Sequence, residues 1–309
     1  MKYKEWLEEW LINYIKPTSK ERTYQRYAEI VNQHIIPYLG EYELDELTPI
    51  ILQKFVSQLL EKGNIKTKKG LSANSVNAVI CVIQGSLKSA SILGVCKKYI
   101  ADKIKRPKSI EKKVLCFTLT EQKKIENAVK KDKRLKMVGI ILSLYTGLRI
   151  GELLALEWSD IDFSKGELII NKSCHDGKNK EGQFVRIIDT PKTESSRRTI
   201  PFPKQLVNYL MGIKKKSKSR YVVGNGEKVI SIRSYQKTFS SLLVSKNISH
   251  KGFHALRHTF ATRAIECGMD VKTLSEILGH KSPTVTLNRY VHSLMEHKKE
   301  MMNKVGGFF

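Results

Sequence analysis

The sequence predicts a mainly α protein in two parts, with a small antiparallel β-sheet confined to the second. Three observations predict it. Apolar residues recur at spacings of three and four through the first ~100 residues, with no strand pattern among them. Short β-like segments then appear at Leu168–Ile170, Arg186–Ile188 and Arg198–Ile200. Between the two patterns lies Lys105 to Lys113, a basic stretch with a proline and no apolar face, which reads as a linker.

The first helix is read from Trp6, Trp10, Leu11 and Tyr14, which share one face. A second begins at Thr18-Ser19-Lys20-Glu21 and repeats the pattern with Tyr24, Tyr27, Ile30 and Val31. Thr48-Pro49 opens a third, because threonine can accept from a first-turn amide and proline at the first helical position has no N–H to leave unpaired, and Gly63-Asn64 closes it. A fourth runs from Leu71-Ser72 to Leu93 and stops at Gly94. In the second part, Thr118-Leu119-Thr120-Glu121 has the form of a capping box. An apolar helix from Met137 to Tyr145 ends at Thr146-Gly147, and another starts near Arg149. Helices dominate again after Pro203, apart from a short strand expected at Tyr221-Val222-Val223.

Composition narrows the function. Apolar residues make up 41% of the chain, enough for packed cores. No run of about 18 apolar residues suggests a membrane span, and the charged start Met1-Lys2-Tyr3-Lys4-Glu5-Trp6 lacks a signal peptide's apolar segment, so a cytoplasmic address is expected. Cys81, Cys96, Cys116, Cys174 and Cys267 are widely spaced and odd in number, which fits reduced thiols rather than disulfides or a zinc site. Lysine and arginine total 55 against 30 acids, a net charge of +25. A polyanion is the natural partner for that excess, since each neutralised phosphate releases counterions. Residues 1–106 hold 17 bases and 11 acids, residues 107–309 hold 38 and 19, so both parts can touch the same polyanion.

Four clusters could carry chemistry, each with a plainer alternative. In Thr146-Gly147-Leu148-Arg149-Ile150-Gly151-Glu152, Arg149 stands at a helix start, where its charge adds to the positive helix end; alternatively it pairs with Glu152 one turn on. The segment TPKTESSRRTIP (residues 190–201) fits a β-hairpin with a polar turn, from which Lys192 either reaches a substrate or is simply exposed. His254 and Arg257 lie one helical turn apart, and the pair suits a phosphate: arginine clamps it and histidine moves a proton. His254 and His258 also have the spacing of a helical zinc pair, though without its glutamate and with Arg257 alongside. Finally, Leu278-Gly279-His280 is followed ten residues later by Tyr290, which alone reads as a half-buried core tyrosine at the start of a helical run into Val291 and Leu294.

Taken in series, TGLRIGELLALEWSDID, TPKTESSRRTIP, HALRHTFAT and LGHKSPTVTLNRY closely resemble the catalytic domain of tyrosine recombinases of the phage-integrase family, with matching order and spacing from about residue 117 to 300. The resemblance implies a helical, SAM-like core-type DNA-binding domain at 1–106, a linker at 107–116, and an α+β catalytic domain with a C-terminal tail at 117–309. It implies Tyr290 as the nucleophile on a DNA phosphate, Arg149 and Arg257 bracketing that phosphate, His254 accepting the tyrosine proton, Lys192 as general acid for the 5′-oxygen, and His280 as a hydrogen-bond donor to the phosphate. Glu152 matches an acidic position that steadies the pocket.

The product of the first step would be a 3′-phosphotyrosyl link, which stores the bond energy, so neither ATP nor a metal cofactor is implied. Implied partners are double-stranded DNA attachment sites, a homotetramer on DNA, and an excisionase or DNA-bending accessory protein, with no membrane. The resemblance leads to a site-specific recombinase that integrates or excises a mobile element; the alternatives are a Xer-like dimer resolvase and a topoisomerase acting on a single DNA. The polar insert Cys174 to Gly182 leans toward the mobile-element group. Relatives with long attachment sites usually add an N-terminal arm-binding domain, whereas here the helical part starts within the first few residues. The terminal Gly306-Gly307-Phe308-Phe309 either docks on a neighbouring copy or frays.

Overall fold

The N-terminal helices form where the apolar spacing places them. Helix α1 (Tyr3–Trp10) runs through a π-helical turn (Leu11–Ile15) into Lys16–Thr18, and α2 (Glu21–Ile30) does the same through Val31–Ile35 into Ile36–Leu39. In both, a proline, Pro17 or Pro37, sits just beyond the wide turn. A proline offers no N–H and crowds the carbonyl four residues back, and a π turn relieves both. Helix α3 (Pro49–Lys62) is capped by Thr48, whose Oγ1 accepts from the Ile51 amide at 3.3 Å, and α4 (Ala73–Ile92) by Ser72. The computed structural model describes residues 1–109, 114–178, 183–189, 197–224, 228–280, 282–290, 302–303 and 305–307.

These helices belong to the first of two units, Met1–Lys112 and Lys113–Phe309, each with its own core. The first core is built on α4, whose faces carry Val76, Val79, Ile80, Ile83 and Leu87. The aromatic polar atoms of α1 end on α4 as well. The Trp6 indole donates to the Ser86 carbonyl at 2.9 Å, and the Tyr3 hydroxyl meets Ser86 Oγ at 2.7 Å. A buried ring brings a polar handle inside, and the handle must find a partner there.

The second unit carries α5 (Leu119–Lys131), α6 (Val138–Thr146), α7 (Ile150–Ala155), α8 (Lys204–Lys216), α9 (Ile232–Ser245), α10 (His254–Glu266), α11 (Val271–Leu278) and α12 (Pro283–Tyr290). The capping box expected at Thr118 is present: its Oγ1 accepts from the Glu121 amide at 3.2 Å, and Glu121 accepts from the Thr118 amide at 2.8 Å. Helix α6 is apolar on every side and is buried accordingly, with α10 packed on it. No helix among the described residues is long and apolar enough to cross a membrane.

Strands β1 (Ile161–Asp162), β2 (Glu167–Ile170) and β5 (Arg198–Pro201) form an antiparallel sheet in the order β1-β2-β5, with Leu168 opposite Ile200. Strands β3 (Ser173–Lys178) and β4 (Phe184–Asp189) form a separate antiparallel pair. The fold class is therefore the expected one, with two differences in detail. The polar insert at Cys174 supplies β3. Residues 190–196 of the expected hairpin lie outside the described residues; of the strands flanking them, β4 pairs with β3 and β5 with β2. At Tyr221 the chain makes one isolated bridge, to Glu157, rather than a strand, while Tyr221, Val222 and Val223 are all buried.

Candidate active site

Glycine turns place the site's arginines. Helix α6 ends at Gly147 with φ +65°, and α11 ends at Gly279 with φ +62°, both in the left-handed region that glycine enters without strain. The first turn leads into Arg149, whose extended backbone precedes α7. The second leads into His280.

The two turns meet through arginine. Arg257, on α10 and only 2% exposed, donates to the Gly147 carbonyl and to the Leu278 carbonyl, each at 2.8 Å. Arg149 donates to the next carbonyl, that of Gly279, at 2.8 Å. The guanidiniums of the two expected phosphate ligands thus engage consecutive peptides at the end of α11. His280 adds a hydrogen bond between its Nδ1 and Thr286 Oγ1 on α12, at 2.7 Å.

Glu152 holds the cluster from inside. It is 5% exposed and accepts from Arg149 Nη1 at 2.8 Å and from the Arg149 amide at 3.0 Å. Arg198, the first residue of β5, forks onto the same carboxylate at 3.0 and 2.8 Å. Burial alone would push the Glu152 carboxyl up, but Arg198 by hydrogen bond and charge, together with Arg149, brings it down to about 2. Arg257 moves the other way. Burial, then the neighbouring charge of Arg149, hold it below its ordinary value at about 9, with Glu152 opposing. An arginine in water keeps its proton far above neutrality, and this one is still charged at pH 7.

Tyr290 closes the site at the described end of α12. The helix starts at Pro283, where Ser282-Pro283 supplies a cap and an N-terminal proline, and Tyr290 continues it; the expected run on into Val291 and Leu294 lies outside the described residues. Tyr290 is 2% exposed and packs with Ala261, Ala264, Ile265, Leu274 and Leu278. Its hydroxyl meets His258 Nδ1 at 2.7 Å. His254, at the first position of α10 and exposed, stacks edge-on against His258 with centroids 4.5 Å apart. The plain readings of the sequence hold in this structure: Tyr290 is a core tyrosine and Arg149 is paired with Glu152.

The structure brings together Arg149, Arg257, His280, His254 and Tyr290, all in the second unit. Lys192 lies outside the described residues. Two residues that sequence reasoning left aside belong to the cluster. His258 had been weighed only as half of a zinc pair, and among the described residues no group of three or more His, Cys, Asp or Glu is placed to hold a metal ion. Arg198 is read from the sequence only as the start of a short strand.

Comparison with known proteins agrees with this architecture. Residues 116–297 match the phage integrase family, and residues 2–60 match the phage integrase N-terminal SAM-like domain. A tyrosine recombinase XerC-like protein of Caldanaerobacter subterraneus subsp. tengcongensis is 30% identical, over 97% of this chain and 81% of the relative. The ICEBs1 integrase of Bacillus subtilis is 28% identical, over 93% and 78%. Among solved structures, the Tn1549 transposon integrase in complex with a circular intermediate DNA shares the fold, with a TM-score of 0.77 over 99% of both chains at 23% identity. The chain belongs to the phage integrase family and is a tyrosine-type site-specific recombinase.

Proposed function

We propose that this recombinase integrates or excises a mobile element by cutting and rejoining double-stranded DNA attachment sites through Tyr290. The observation that carries the reading is the engagement of consecutive carbonyls, Leu278 and Gly279, by Arg257 and Arg149, in a pocket where Arg149 and Arg198 share the Glu152 carboxylate. A phosphodiester gains negative charge as a nucleophile adds, and fixed cations stabilise that charge best where water is excluded. Tyr290 Oη attacks phosphorus and its proton passes to the histidine pair on α10, with His254 as acceptor. The bond to the 5′-oxygen breaks, Lys192 protonates that oxygen, and a 3′-phosphotyrosyl link remains. His280 donates to the phosphate. A 5′-hydroxyl from a second duplex reverses the step, so the chemistry needs no external energy source.

In this reading residues 1–106 form the core-type DNA-binding domain, 107–116 the linker and 117–309 the catalytic domain. Two duplexes present four strands to cut, which calls for a homotetramer on DNA, assisted by an excisionase or DNA-bending protein, in the cytoplasm. Support for a mobile element over a Xer-like role comes from the likeness to ICEBs1 integrase and to the transposase of transposon Tn916 from Enterococcus faecalis, 24% identical over 86% of this chain and 68% of the relative. The test uses the site that the chain selects from a randomised duplex library, placed on two plasmids. Joining of the plasmids is expected; relaxation of supercoils without joining would instead make the chain a topoisomerase.

A further inference from the structure

Arg198 sits where three pieces of the catalytic unit come together. It opens β5, opposite Ile170 of β2. Its Nη1 and Nη2 take both oxygens of Glu152 on α7, and its Nε donates to the Ile277 carbonyl on α11 at 2.6 Å. A Cβ added at Gly279 would come within 3.0 Å of Arg198 Nη1, so the guanidinium fills the space beneath the turn that carries His280. The circuit closes through Arg149, which donates to Glu152 on one side and to Gly279 on the other. A planar fork with three N–H directions can make this junction. A lysine ammonium, a single point on a flexible stem, cannot span two oxygens and a carbonyl in the same way.

The side chain is 6% exposed, and these donors point into protein. Its fork is spent on the Glu152 carboxylate, whereas the fork of Arg257 meets neutral carbonyls, and that difference in charge separates Arg198 from the expected phosphate ligands. The pair also differs from a surface ion pair, because Glu152 is buried and would otherwise stand with one fewer cation.

We infer that Arg198 is a positioning residue for strand transfer: it fixes the Glu152 carboxylate and the end of α11, and through them aims Arg149 and the His280 turn at the scissile phosphate. The inference rests on the recombinase reading above and adds a residue to it. Its two effects are distinct. Geometrically, it sets the direction of the Arg149 guanidinium. Electrostatically, it keeps Glu152 ionised, so that Arg149 retains a fixed anchor.

The test compares the full chain with Arg198→Met and Arg198→Lys on a nicked suicide duplex built on the selected site. Affinity for the duplex and the rate of covalent adduct formation at saturating duplex are measured separately. Misplacing a reacting group by about 1 Å costs on the order of 100-fold, and that is the loss of saturating rate expected for Arg198→Met, with duplex affinity changed less than about threefold. Arg198→Lys keeps a charge without the fork and recovers only part of the loss. The rate of Arg198→Met also acquires an acid limb at higher pH than in the parent, because Glu152 loses its strongest partner and takes up a proton more readily, which a purely structural defect would not produce. If Arg198→Met fails to fold, Arg198→Met/Glu152→Gln, which leaves no lone buried carboxylate, is used and shows the same loss of rate while folded.

A folded variant that forms adduct at the parental rate across pH overturns the inference. A loss confined to duplex affinity overturns it too, and makes Arg198 a DNA contact. Absence of any Tyr290 adduct from the parent chain is a different result, which removes the recombinase reading itself.

Discussion

His258 Nδ1 lies 2.7 Å from the Tyr290 hydroxyl, and both side chains are buried between α10 and α12. The tyrosine pKa is ordinarily near 10 and the hydroxyl is neutral at pH 7, so it needs a partner both to be buried and to lose its proton. His258 supplies the first need in the chain without DNA.

That contact predicts a stability effect independent of catalysis. His258→Phe removes this hydrogen bond and destabilises the second unit by about 1 kcal/mol in chemical denaturation. His258→Asn, whose amide nitrogen or oxygen reaches the Nδ1 position, loses less. Combined with Tyr290→Phe, the His258→Phe cost shrinks, since the hydrogen bond is already gone. Equal costs in both backgrounds would show that the hydrogen bond contributes nothing.

Glu152 predicts the acid stability of the chain. Its ordinary pKa is 4.5; burial opposes ionisation, and Arg198 with Arg149 outweighs burial to set about 2. A folded pKa below the unfolded one stabilises the fold above pH 4.5, and that contribution is lost as pH falls from 4.5 towards 2. Thermal midpoints measured across this range should drop steeply in the parent and less steeply in Glu152→Gln. Parallel curves would mean that the carboxylate is not held as described.

Gly147 predicts a backbone effect. A Cβ there would fall 2.6 Å from Phe260 Cδ1 and 2.7 Å from Leu278 Cδ2, at φ +65°. Gly147→Ala should therefore destabilise by about 1–3 kcal/mol, from strain and crowding together. Because its carbonyl also receives Arg257, the folded fraction should form adduct more slowly at saturating duplex. A variant with the parental melting temperature would contradict the described turn.

Much of this was legible because periodicity and capping are local. The capping boxes, the apolar faces of α1 and α4, and the two glycine stops follow from neighbouring residues. The strand pairing was less so, since β4 chooses between β3 and β5 over distance. Arg198 shows what a sharper reading would catch. It is two residues before buried Ile200, so strand alternation puts both on one face. Glu152 stands in an apolar run, Gly151 to Leu156, that is buried throughout. A buried base and a buried acid each demand a partner, and these two supply one another. His258 was harder: its position one turn from His254 is visible, but its partner on α12 is a tertiary fact. The order of Arg149, His254, Arg257, His280 and Tyr290 was read only by resemblance, since each motif alone fits ordinary structure.

The central claim is that Tyr290 is the nucleophile, and mass spectrometry of the covalent complex tests it most directly. The full chain is trapped on the nicked suicide duplex, the complex is digested, and the peptide bearing the nucleotide remnant is sequenced. The remnant is expected on Tyr290 as a phosphotyrosyl link, and Tyr290→Phe is expected to bind the duplex with unchanged affinity and form no adduct. A remnant on any other residue, or an adduct persisting in Tyr290→Phe, would contradict the account.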